Sequence, residues 1–336
     1  MTPFVKQLQQ VLATSHQAES NFVLQQPFLS ALKYHQLVPL VHESNPKIQL
    51  KNWQVHNLQR ITKQCAGKRY LTDVLESLTI NAQWFKGQSL TKKLYKTPAS
   101  RYASDLDILL PDKAAVIKVA QKLIDNGWVC LFEQKSNLEE QLENYLKLHK
   151  DLPVYHPEYG TAELHYRVTS TIVPVASAFE KWLWNSPSES LSSEELLYLC
   201  YHGTSTAYHR FKWLYDVHLY LQNWLPHTSP HELYSMAENL DCERSLLLSW
   251  ALAAEVFNTP LPTIIKEKIA NDRLITVASK RVITNANRCS GRRPTPLYRL
   301  ERRIFWYLTH KSATSKKAIR QHIFALGLER IKSAFN

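Results

Sequence analysis

The spacing of apolar residues over the first 80 positions is helical. In "FVKQLQQVL" (4–12) and "LTDVLESLTI" (71–80), apolar side chains recur every three or four residues, which is the repeat of an amphipathic helix. Glycine, a common helix breaker, occurs only seven times and never in a cluster. We therefore predict an N-terminal helical segment over residues 1–80.

Residues 81–170 alternate between strand-like and helix-like segments. The predicted strands lie in "NAQWF" (81–85), "SDLDILL" (104–110), "WVCLFEQ" (128–134) and "TAELHYRVT" (161–169). The predicted helices begin at about Ser89 and lie in "DKAAVIKVAQKLIDNGW" (112–128) and "NLEEQLENYLKLHK" (137–150). Asp112 is placed as the N-cap of the second helix, and Gly127 follows its end. No element is predicted for "DLPVYHPEYG" (151–160), and the whole segment is interpreted as a small α/β core.

The pattern becomes almost entirely helical after this core. "NSPSESLSSEE" (185–195) is a polar linker that ends in a capping-box pattern, Ser192 to Glu195. Beyond it, helical spacing is interrupted at "TPLPT" (259–263) and "RRPTP" (292–296). The predicted fold class is α+β, with an N-terminal helical segment (1–80), an α/β core (81–170) and a helical C-terminal domain (171–336).

Membrane insertion and a disulfide framework are both disfavoured by the sequence. No apolar run approaches the ~20 residues that a membrane-spanning helix needs, and the N-terminus lacks the layout of a signal peptide. The five cysteines are odd in number, scattered and never in Cys-x-x-Cys spacing. This distribution argues against disulfides and a zinc site, and it predicts a reducing, cytoplasmic location.

The net charge of +12 is concentrated near the C-terminus. Residues 292–336, here called the basic tail, carry eleven Lys or Arg against two acids. Such a segment attracts RNA, another polyanion or an anionic membrane, although the same pattern is typical of a solvated helical face. Within it, "YRLERRIFWYLTHK" (298–311) mixes Arg with aromatic residues, as RNA-binding surfaces do. The spacing of Leu300, Ile304 and Leu308 instead favours an amphipathic helix that packs these three side chains inward.

Two acidic residues in the predicted strand "SDLDILL" carry the strongest chemical signal. Asp105 and Asp107 are separated by one residue, and in a strand residues i and i+2 point to the same face. Two like charges at that spacing repel each other, more strongly where the face is shielded from water. Solvent, a nearby Arg or a divalent cation must therefore offset the repulsion.

Two further segments supply groups that fit such a pair. "KGQSL" (86–90) lies at a strand-to-helix turn, where backbone N–H groups and the helix N-terminus favour an anion such as phosphate. Gly87 permits close approach to the backbone, and Ser89 adds a hydroxyl. Glu163 provides a third acid on a strand that can lie beside the first. These are the parts of a two-metal phosphoryl-transfer site, in which carboxylate oxygens bind Mg²⁺.

These segments resemble the signature of the nucleotidyltransferase superfamily with the polymerase-beta-like fold, in particular its family of uncharacterised bacterial nucleotidyltransferases. That family carries a "KG…LY…P…R…DxDxLL" run, a later acidic-Leu-His on a strand and a His-rich helix. The matching segments here are "KGQSLTKKLYKTPASRYASDLDILL" (86–110), "ELHYR" (163–167) and "YHGTSTAYHRFKWLYD" (201–216). The Gly turn, the Arg-x-x-Ser-Asp-x-Asp run and a later Lys and Asp also resemble abortive-infection-type nucleotidyltransferase toxins.

The resemblance implies a role for each matching residue. Asp105 and Asp107 would bind Mg²⁺, and Glu163 would ligate metal or help to deprotonate an acceptor hydroxyl. The residues implied to contact the nucleotide are Lys86, Gly87, Ser89, Arg101, Ser104, Lys212 and Asp216. The commoner superfamily turn is Gly-Ser, whereas here Gln88 separates the glycine from the serine. This departure concerns the hydroxyl and leaves the backbone contact unchanged.

The implied reaction is the transfer of a nucleoside monophosphate from an NTP, ATP included, to an unknown acceptor. The acceptor is a hydroxyl on a sugar, protein or RNA, or a phosphate, and the basic tail favours RNA among macromolecules. Two interpretations from other classes stay open. One is a non-catalytic nucleotide-binding or scaffold protein with a degenerate site. The other is an RNA-binding protein whose acidic pair is structural, with salt-sensitive binding.

Several residues near the motifs also have purely structural interpretations. Lys212 and Asp216 lie at i and i+4, which is the spacing of an exposed ion pair on a helix. His202 and His209 lie seven residues apart and would be either zinc ligands or core histidines. Because no other pair of residues has the spacing of zinc ligands, core histidines are favoured. His165 alternates with the third acid and would either join the site or pack within its strand.

Overall fold

The computed structural model describes residues 3–13, 26–45, 53–130, 137–185, 190–224, 228–288 and 296–335. Within these residues the chain forms five strands and sixteen helices. The strands are β1 (Gln83–Trp84), β2 (Asp105–Leu109), β3 (Val129–Cys130), β4 (Asp151–His156) and β5 (Gly160–His165). The helices are α1 (Pro3–Ala13), α2 (Gln26–His35), α3 (Val38–Ser44), α4 (Trp53–Ser77), α5 (Gly87–Leu94), α6 (Lys113–Ile124), α7 (Leu138–Leu148), α8 (Pro174–Asn185), α9 (Ser193–Ser205), α10 (Phe211–Trp224), α11 (Pro230–Asn239), α12 (Glu243–Phe257), α13 (Thr263–Asn271), α14 (Arg273–Arg288), α15 (Pro296–Thr309) and α16 (Ala313–Phe335).

The five strands form one mixed sheet with the order β1-β2-β5-β4-β3. β2 and β5 are parallel neighbours, and every other neighbouring pair is antiparallel. A single mixed sheet within a mostly helical chain is consistent with the predicted α+β class.

The two faces of the sheet pack against different cores. Leu106 and Ile108 belong to a core that β2 shares with α4 and α6, here called the sheet core. Leu109 belongs to a larger core, the helical core, formed mainly by helices before and after the sheet. Because side chains alternate along a strand, Asp105 and Asp107 share the face of Leu109. The two aspartates therefore lie where the sheet meets the helical core.

The helices of residues 1–80 divide between these two cores. α1, α2 and α3 bury their apolar side chains in the helical core, whereas α4 buries Leu71, Val74 and Leu75 in the sheet core. The boundaries at residues 80 and 170 stay predictions, but α4 packs with the α/β core that follows it in sequence.

The predicted caps of two helices are confirmed by their hydrogen bonds. Asp112 Oδ1 accepts a hydrogen bond from the Ala115 N–H at 2.8 Å, and Ser192 Oγ accepts one from the Glu195 N–H at 3.1 Å. The Glu195 carboxylate does not complete a capping box, because it pairs with Lys93 at 2.9 Å instead. The first helix of the core begins at Gly87, two residues before the predicted start.

One strand of the sheet, β4, is missing from the sequence prediction. Its segment contains Pro153, and proline disfavours a central strand because it has no N–H to donate. Among the described residues, β3 pairs with Val154 and Tyr155 of β4, and Pro153 is in register with Glu163 of β5. Residues 131–134 of the predicted third strand, 186–189 of the linker and 292–295 of the proline-rich segment lie outside the described residues.

The predicted packing face of α15 is wrong. Leu300, Ile304 and Leu308 are 53%, 50% and 40% exposed. Instead, Phe305 and Trp306 pack against the helical core, and the Trp306 indole donates a hydrogen bond to the Tyr201 hydroxyl at 3.0 Å. Helical spacing defines both faces of this helix, and the larger aromatic side chains on the second face bury more apolar area.

The described residues include no helix that is long and apolar enough to cross a membrane. Cys65, Cys130, Cys200 and Cys242 are free thiols. Cys289 lies outside the described residues.

His35, at the end of α2, joins three helices of the helical core. Its Nε2 lies 3.1 Å from the Ala286 carbonyl oxygen on α14, and its Nδ1 accepts a hydrogen bond from the Phe211 N–H on α10 at 3.3 Å. Only the neutral ring with its proton on Nε2 makes both bonds. Burial lowers the pKa of His35 to about 4.

We expect His35→Gln to reduce the loss of stability that accompanies a fall in pH. Between its ordinary pKa of about 6.5 and its folded pKa of about 4, the unfolded chain binds a proton that folded His35 excludes, so stability falls as pH falls through this window. His35 should therefore account for a loss of about 2 kcal/mol in unfolding free energy from pH 7 to pH 5. Urea unfolding at both pH values measures it.

His231→Gln on α11 is the matched control, because it makes the same substitution at an exposed histidine. It should leave the loss of stability between pH 7 and pH 5 unchanged. An equal loss in His35→Gln and in the wild-type protein would show that His35 does not contribute to it.

Candidate functional site

The three predicted acids lie on two neighbouring strands. Asp107 on β2 is in register with Glu163 on β5, and Asp105 is in register with Thr161. Residues in register on paired strands point to the same face, so the three carboxylates share one face of the sheet. The Asp107 side chain is 6% exposed and that of Glu163 is 30% exposed. The site thus has a buried inner carboxylate and an accessible outer one.

His165 lies between two of these carboxylates. Its Nε2 is 3.1 Å from Asp107 Oδ1 and 3.2 Å from Glu163 Oε2. Ligand atoms of these three residues all lie within 4.8 Å of one another, a grouping that can hold a metal ion. The sequence leaves open whether His165 joins the site, and the structure places it there. Its alternation with Glu163 along β5 is the signal that points to this position.

The far side of the His165 ring faces a lysine and a further acid. His165 Nδ1 lies 3.3 Å from Lys150 Nζ and 3.6 Å from Asp151 Oδ2. Lys150 and Asp151 also form an ion pair with each other. Burial and Lys150 lower the pKa of His165, but its bonds to Asp107 and Glu163 outweigh them and raise that pKa above its ordinary value. Sequence reasoning missed Lys150 and Asp151, because it predicted no strand at β4.

Lys86 reaches the site from a strained backbone position. It precedes α5 with φ 52° and ψ −142°, close to a region used almost only by glycine, at a cost of about 1–3 kcal/mol. Its Nζ lies 3.2 Å from Asp107 Oδ1. Gly87 follows with φ 30°. Both residues therefore form the predicted turn, which directs the Lys86 ammonium to the inner carboxylate.

Compensation of the negative charges is uneven. Burial would raise the pKa of Asp107, but the Lys86 ammonium and the hydrogen bond to His165 hold it well below its ordinary value. Burial raises the pKa of Asp105, and the charges of Asp107 and Glu163 raise it further. The repulsion expected from the Asp-x-Asp spacing is thus present, and it contributes to the raised pKa of Asp105.

The donor set fits a hard divalent cation. Carboxylate oxygens are the ligands that Mg²⁺ prefers, and a cation beside Asp105 would offset the repulsion that this residue experiences. His165, hydrogen-bonded to both Asp107 and Glu163, would orient them, as outer residues do in metal sites. The compact group contains His165 rather than Asp105, so the full ligand set of Asp105, Asp107 and Glu163 stays a prediction.

Lys212 on α10 lies within electrostatic reach of Asp105. It is 7% exposed, and its Nζ donates a hydrogen bond to the Tyr102 carbonyl at 3.2 Å. Burial and the charge of Arg101 lower the pKa of Lys212 to about 7, against the attraction of Asp105. Within the described residues no ion pair joins Lys212 to Asp216, so the alternative of an exposed i, i+4 pair is wrong.

Arg101 and Asp216 form a buried bidentate ion pair. Arg101 Nε lies 2.7 Å from Asp216 Oδ1, and Nη2 lies 2.8 Å from Oδ2. The Tyr95 hydroxyl donates to Oδ1 at 2.6 Å, and Arg101 Nη1 donates to the Gly87 carbonyl at 3.4 Å. The pair therefore ties α10 to the turn before α5. Direct contact of either residue with a nucleotide stays a prediction, since the two charges neutralise each other.

The two serines of the motif lie at the edges of this arrangement. Ser89 is half-buried in the first turn of α5, and Ser104 is exposed immediately before β2. Their contacts with a nucleotide stay predictions.

His202 and His209 pack as core histidines. Both rings stand edge-on to Trp213, at 5.0 Å and 4.7 Å between centroids. Burial lowers the pKa of His202 well below its ordinary value and that of His209 to about 3. Neither belongs to a metal-ligand group of the described residues.

The fold and site define a mixed α/β protein with an acidic, metal-compatible cluster on one sheet face beside a glycine turn. Residues 23–258 match the family described as uncharacterised nucleotidyltransferase, and this span includes every residue of the predicted site. Since the match covers more than half of the 336 residues, the chain belongs to this nucleotidyltransferase family. No curated protein matches the chain.

We expect Asp216→Asn to lower the free energy of unfolding by about 3–5 kcal/mol, because it leaves the buried Arg101 guanidinium without its counter-charge. The double variant Arg101→Met/Asp216→Leu removes both charges and should recover at least half of that loss. Urea unfolding of the three proteins measures both effects.

Glu301→Gln provides the comparison for an exposed pair. The Arg281 and Glu301 side chains are 45% and 34% exposed, so breaking their ion pair should cost less than about 1 kcal/mol. If Asp216→Asn costs no more than Glu301→Gln, the buried pair does not hold α10 to the turn.

Proposed function

We propose that this protein is a Mg²⁺-dependent nucleotidyltransferase with a polymerase-beta-like core. It transfers a nucleoside monophosphate from an NTP to an acceptor hydroxyl or phosphate and releases pyrophosphate. Family membership supports the transferase class. The observation that carries the proposal is the register of Asp107 with Glu163 on parallel neighbouring strands, beside the Lys86–Gly87 turn.

The reaction forms one bond and breaks one. The acceptor oxygen bonds to the α-phosphorus of the NTP, the bond from that phosphorus to the bridging oxygen breaks, and its electron pair leaves with pyrophosphate. Bound Mg²⁺ would supply charge neutralisation at these oxygens, and Asp105, Asp107 and Glu163 would hold it. Glu163 would also help to take the proton of an acceptor hydroxyl, and the greater exposure of its side chain relative to that of Asp107 supports this role.

The chain's own cations and backbone bind the nucleotide. The N-terminus of α5 at Gly87 and Ser89 receives the phosphates, as free N–H groups at helix N-termini do. Lys86 and Lys212 neutralise charge on the triphosphate and on the departing pyrophosphate. Ser104, exposed immediately before β2, contacts the nucleotide.

Arg101 and Asp216 serve the nucleotide indirectly. The pair holds the Gly87 carbonyl from one side and α10, which carries Lys212, from the other. The basic tail supplies a surface for RNA as acceptor, through electrostatic attraction alone.

We expect Asp105→Asn to stabilise the metal-free protein and to weaken its binding of NTP. Without metal the substitution relieves the repulsion from Asp107 and Glu163 and should raise the unfolding free energy by about 1 kcal/mol. It should also weaken Mg²⁺-dependent NTP binding at least tenfold, because a metal ligand is lost. Urea unfolding in EDTA and calorimetric titration of each NTP, with and without Mg²⁺, measure the two effects.

Glu143→Gln on α7 is the control, because it removes an exposed acid on another element. It should leave stability in EDTA and NTP binding unchanged. Tight NTP binding in Asp105→Asn, or binding indifferent to Mg²⁺, would contradict the transferase proposal and favour a non-catalytic nucleotide- or RNA-binding protein. Absence of NTP binding by the wild-type protein would contradict the proposal as well.

A further inference from the structure

A cavity of about 320 Å³ lies between α4, α5 and the segment that leads into β2. Its charged lining residues are all cationic: Arg60, Lys92, Lys96 and Arg101. Its other lining residues include the polar side chains Gln64 and Gln88, and none is Asp or Glu. This cavity, here called the cationic pocket, therefore presents a positive potential to any molecule that enters it.

Arg60 is held in place by neutral groups only. Its guanidinium donates to Asn57 Oδ1 at 3.2 Å, to Gln64 Oε1 at 3.0 Å and to the Ala103 carbonyl at 2.7 Å. The side chain is half-buried, and among the described residues no carboxylate pairs with it. Its other amino group, Nη2, donates to Asn57 Oδ1 and lies 3.5 Å from the Arg101 carbonyl oxygen. Arg60 therefore contributes a fixed positive charge without a counter-charge, while its N–H groups are used within the chain.

Two lysines add to this charge. Lys92 lies in the last turn of α5 and Lys96 lies two residues beyond the end of this helix. Both are exposed, and neither forms an ion pair with the described acids. Arg101 differs from them, because its charge is offset by Asp216. Three of the four cations of the pocket are therefore uncompensated.

We infer that the cationic pocket binds a phosphate group. Its volume lies in the range of pockets for small molecules. Two side chains connect it to the acidic site: Arg101 donates to the Gly87 carbonyl, and Gln64 Nε2 lies 3.5 Å from the Asp105 carbonyl oxygen. The phosphate group belongs either to the NTP or to a phosphorylated acceptor. This inference goes beyond the proposed function, because Arg60, Lys92 and Lys96 have no part in the acidic site.

Cys65 offers a direct readout, because this exposed thiol lines the pocket. The rate of its alkylation by iodoacetamide is measured by peptide mass spectrometry in EDTA, with and without inorganic pyrophosphate at constant ionic strength. We expect pyrophosphate to slow alkylation of Cys65 at least threefold in the wild-type protein. Lys92→Gln/Lys96→Gln should abolish this protection.

The matched control is Lys118→Gln/Lys122→Gln, which removes two lysines at the same spacing from the exposed face of α6. It should retain the protection. Equal alkylation with and without pyrophosphate in the wild-type protein, or equal protection in the Lys92→Gln/Lys96→Gln variant, would overturn the inference. Because EDTA removes divalent metal, this result is independent of the metal site.

A second arm identifies the source of the phosphate. α,β-Methylene-ATP with Mg²⁺ is added in place of pyrophosphate, after calorimetry has shown that it binds. Protection of Cys65 by this analogue, lost in Lys92→Gln/Lys96→Gln, supports the inference and assigns the pocket to the triphosphate. Bound analogue that leaves Cys65 reactive, with protection restored by added pyrophosphate, supports it and assigns the pocket to the acceptor.

Discussion

Repulsion among three carboxylates on one sheet face is the constraint on which this structure depends. The register of β2 and β5 places Asp107 beside Glu163, and Asp105 lies two residues before Asp107 on the same face of β2. Lys86 and His165 both contact Asp107, so the buried charge is compensated from within the chain. Asp105 is not compensated in this way, and burial together with the charges of Asp107 and Glu163 raises its pKa. A cation bound at this face would remove the repulsion, which connects the electrostatics of the fold to the proposed chemistry.

The surroundings of the site serve to hold that arrangement. The acidic face lies where the sheet meets the helical core, so helices from the second half of the chain complete it. The Arg101–Asp216 pair fixes α10 to the turn before α5, and the strained backbone of Lys86 shapes the same turn. A buried ion pair is weak evidence for net stability. Here its position between the turn and Lys212 indicates that it orders the site.

Local features of the fold and site are readable from the sequence, and long-range ones are not. β2, the turn at Gly87 and the caps at Asp112 and Ser192 depend on neighbouring residues. β4 escaped prediction because its proline argues against a strand. The partnership of Arg101 with Asp216 spans 115 positions, and no spacing rule reaches that far. The predicted packing face of α15 is wrong because helical periodicity shows which apolar residues share a face but not which face is buried.

Metal binding by the wild-type protein tests the central claim most directly. Mn²⁺, a paramagnetic substitute for Mg²⁺, is titrated in the presence of α,β-methylene-ATP and followed by electron paramagnetic resonance. The account predicts saturable binding that Glu163→Gln weakens at least tenfold, since this variant removes an accessible carboxylate charge from the face shared with Asp107. Equal Mn²⁺ affinity in Glu163→Gln and the wild-type protein, or no binding by either, would contradict it.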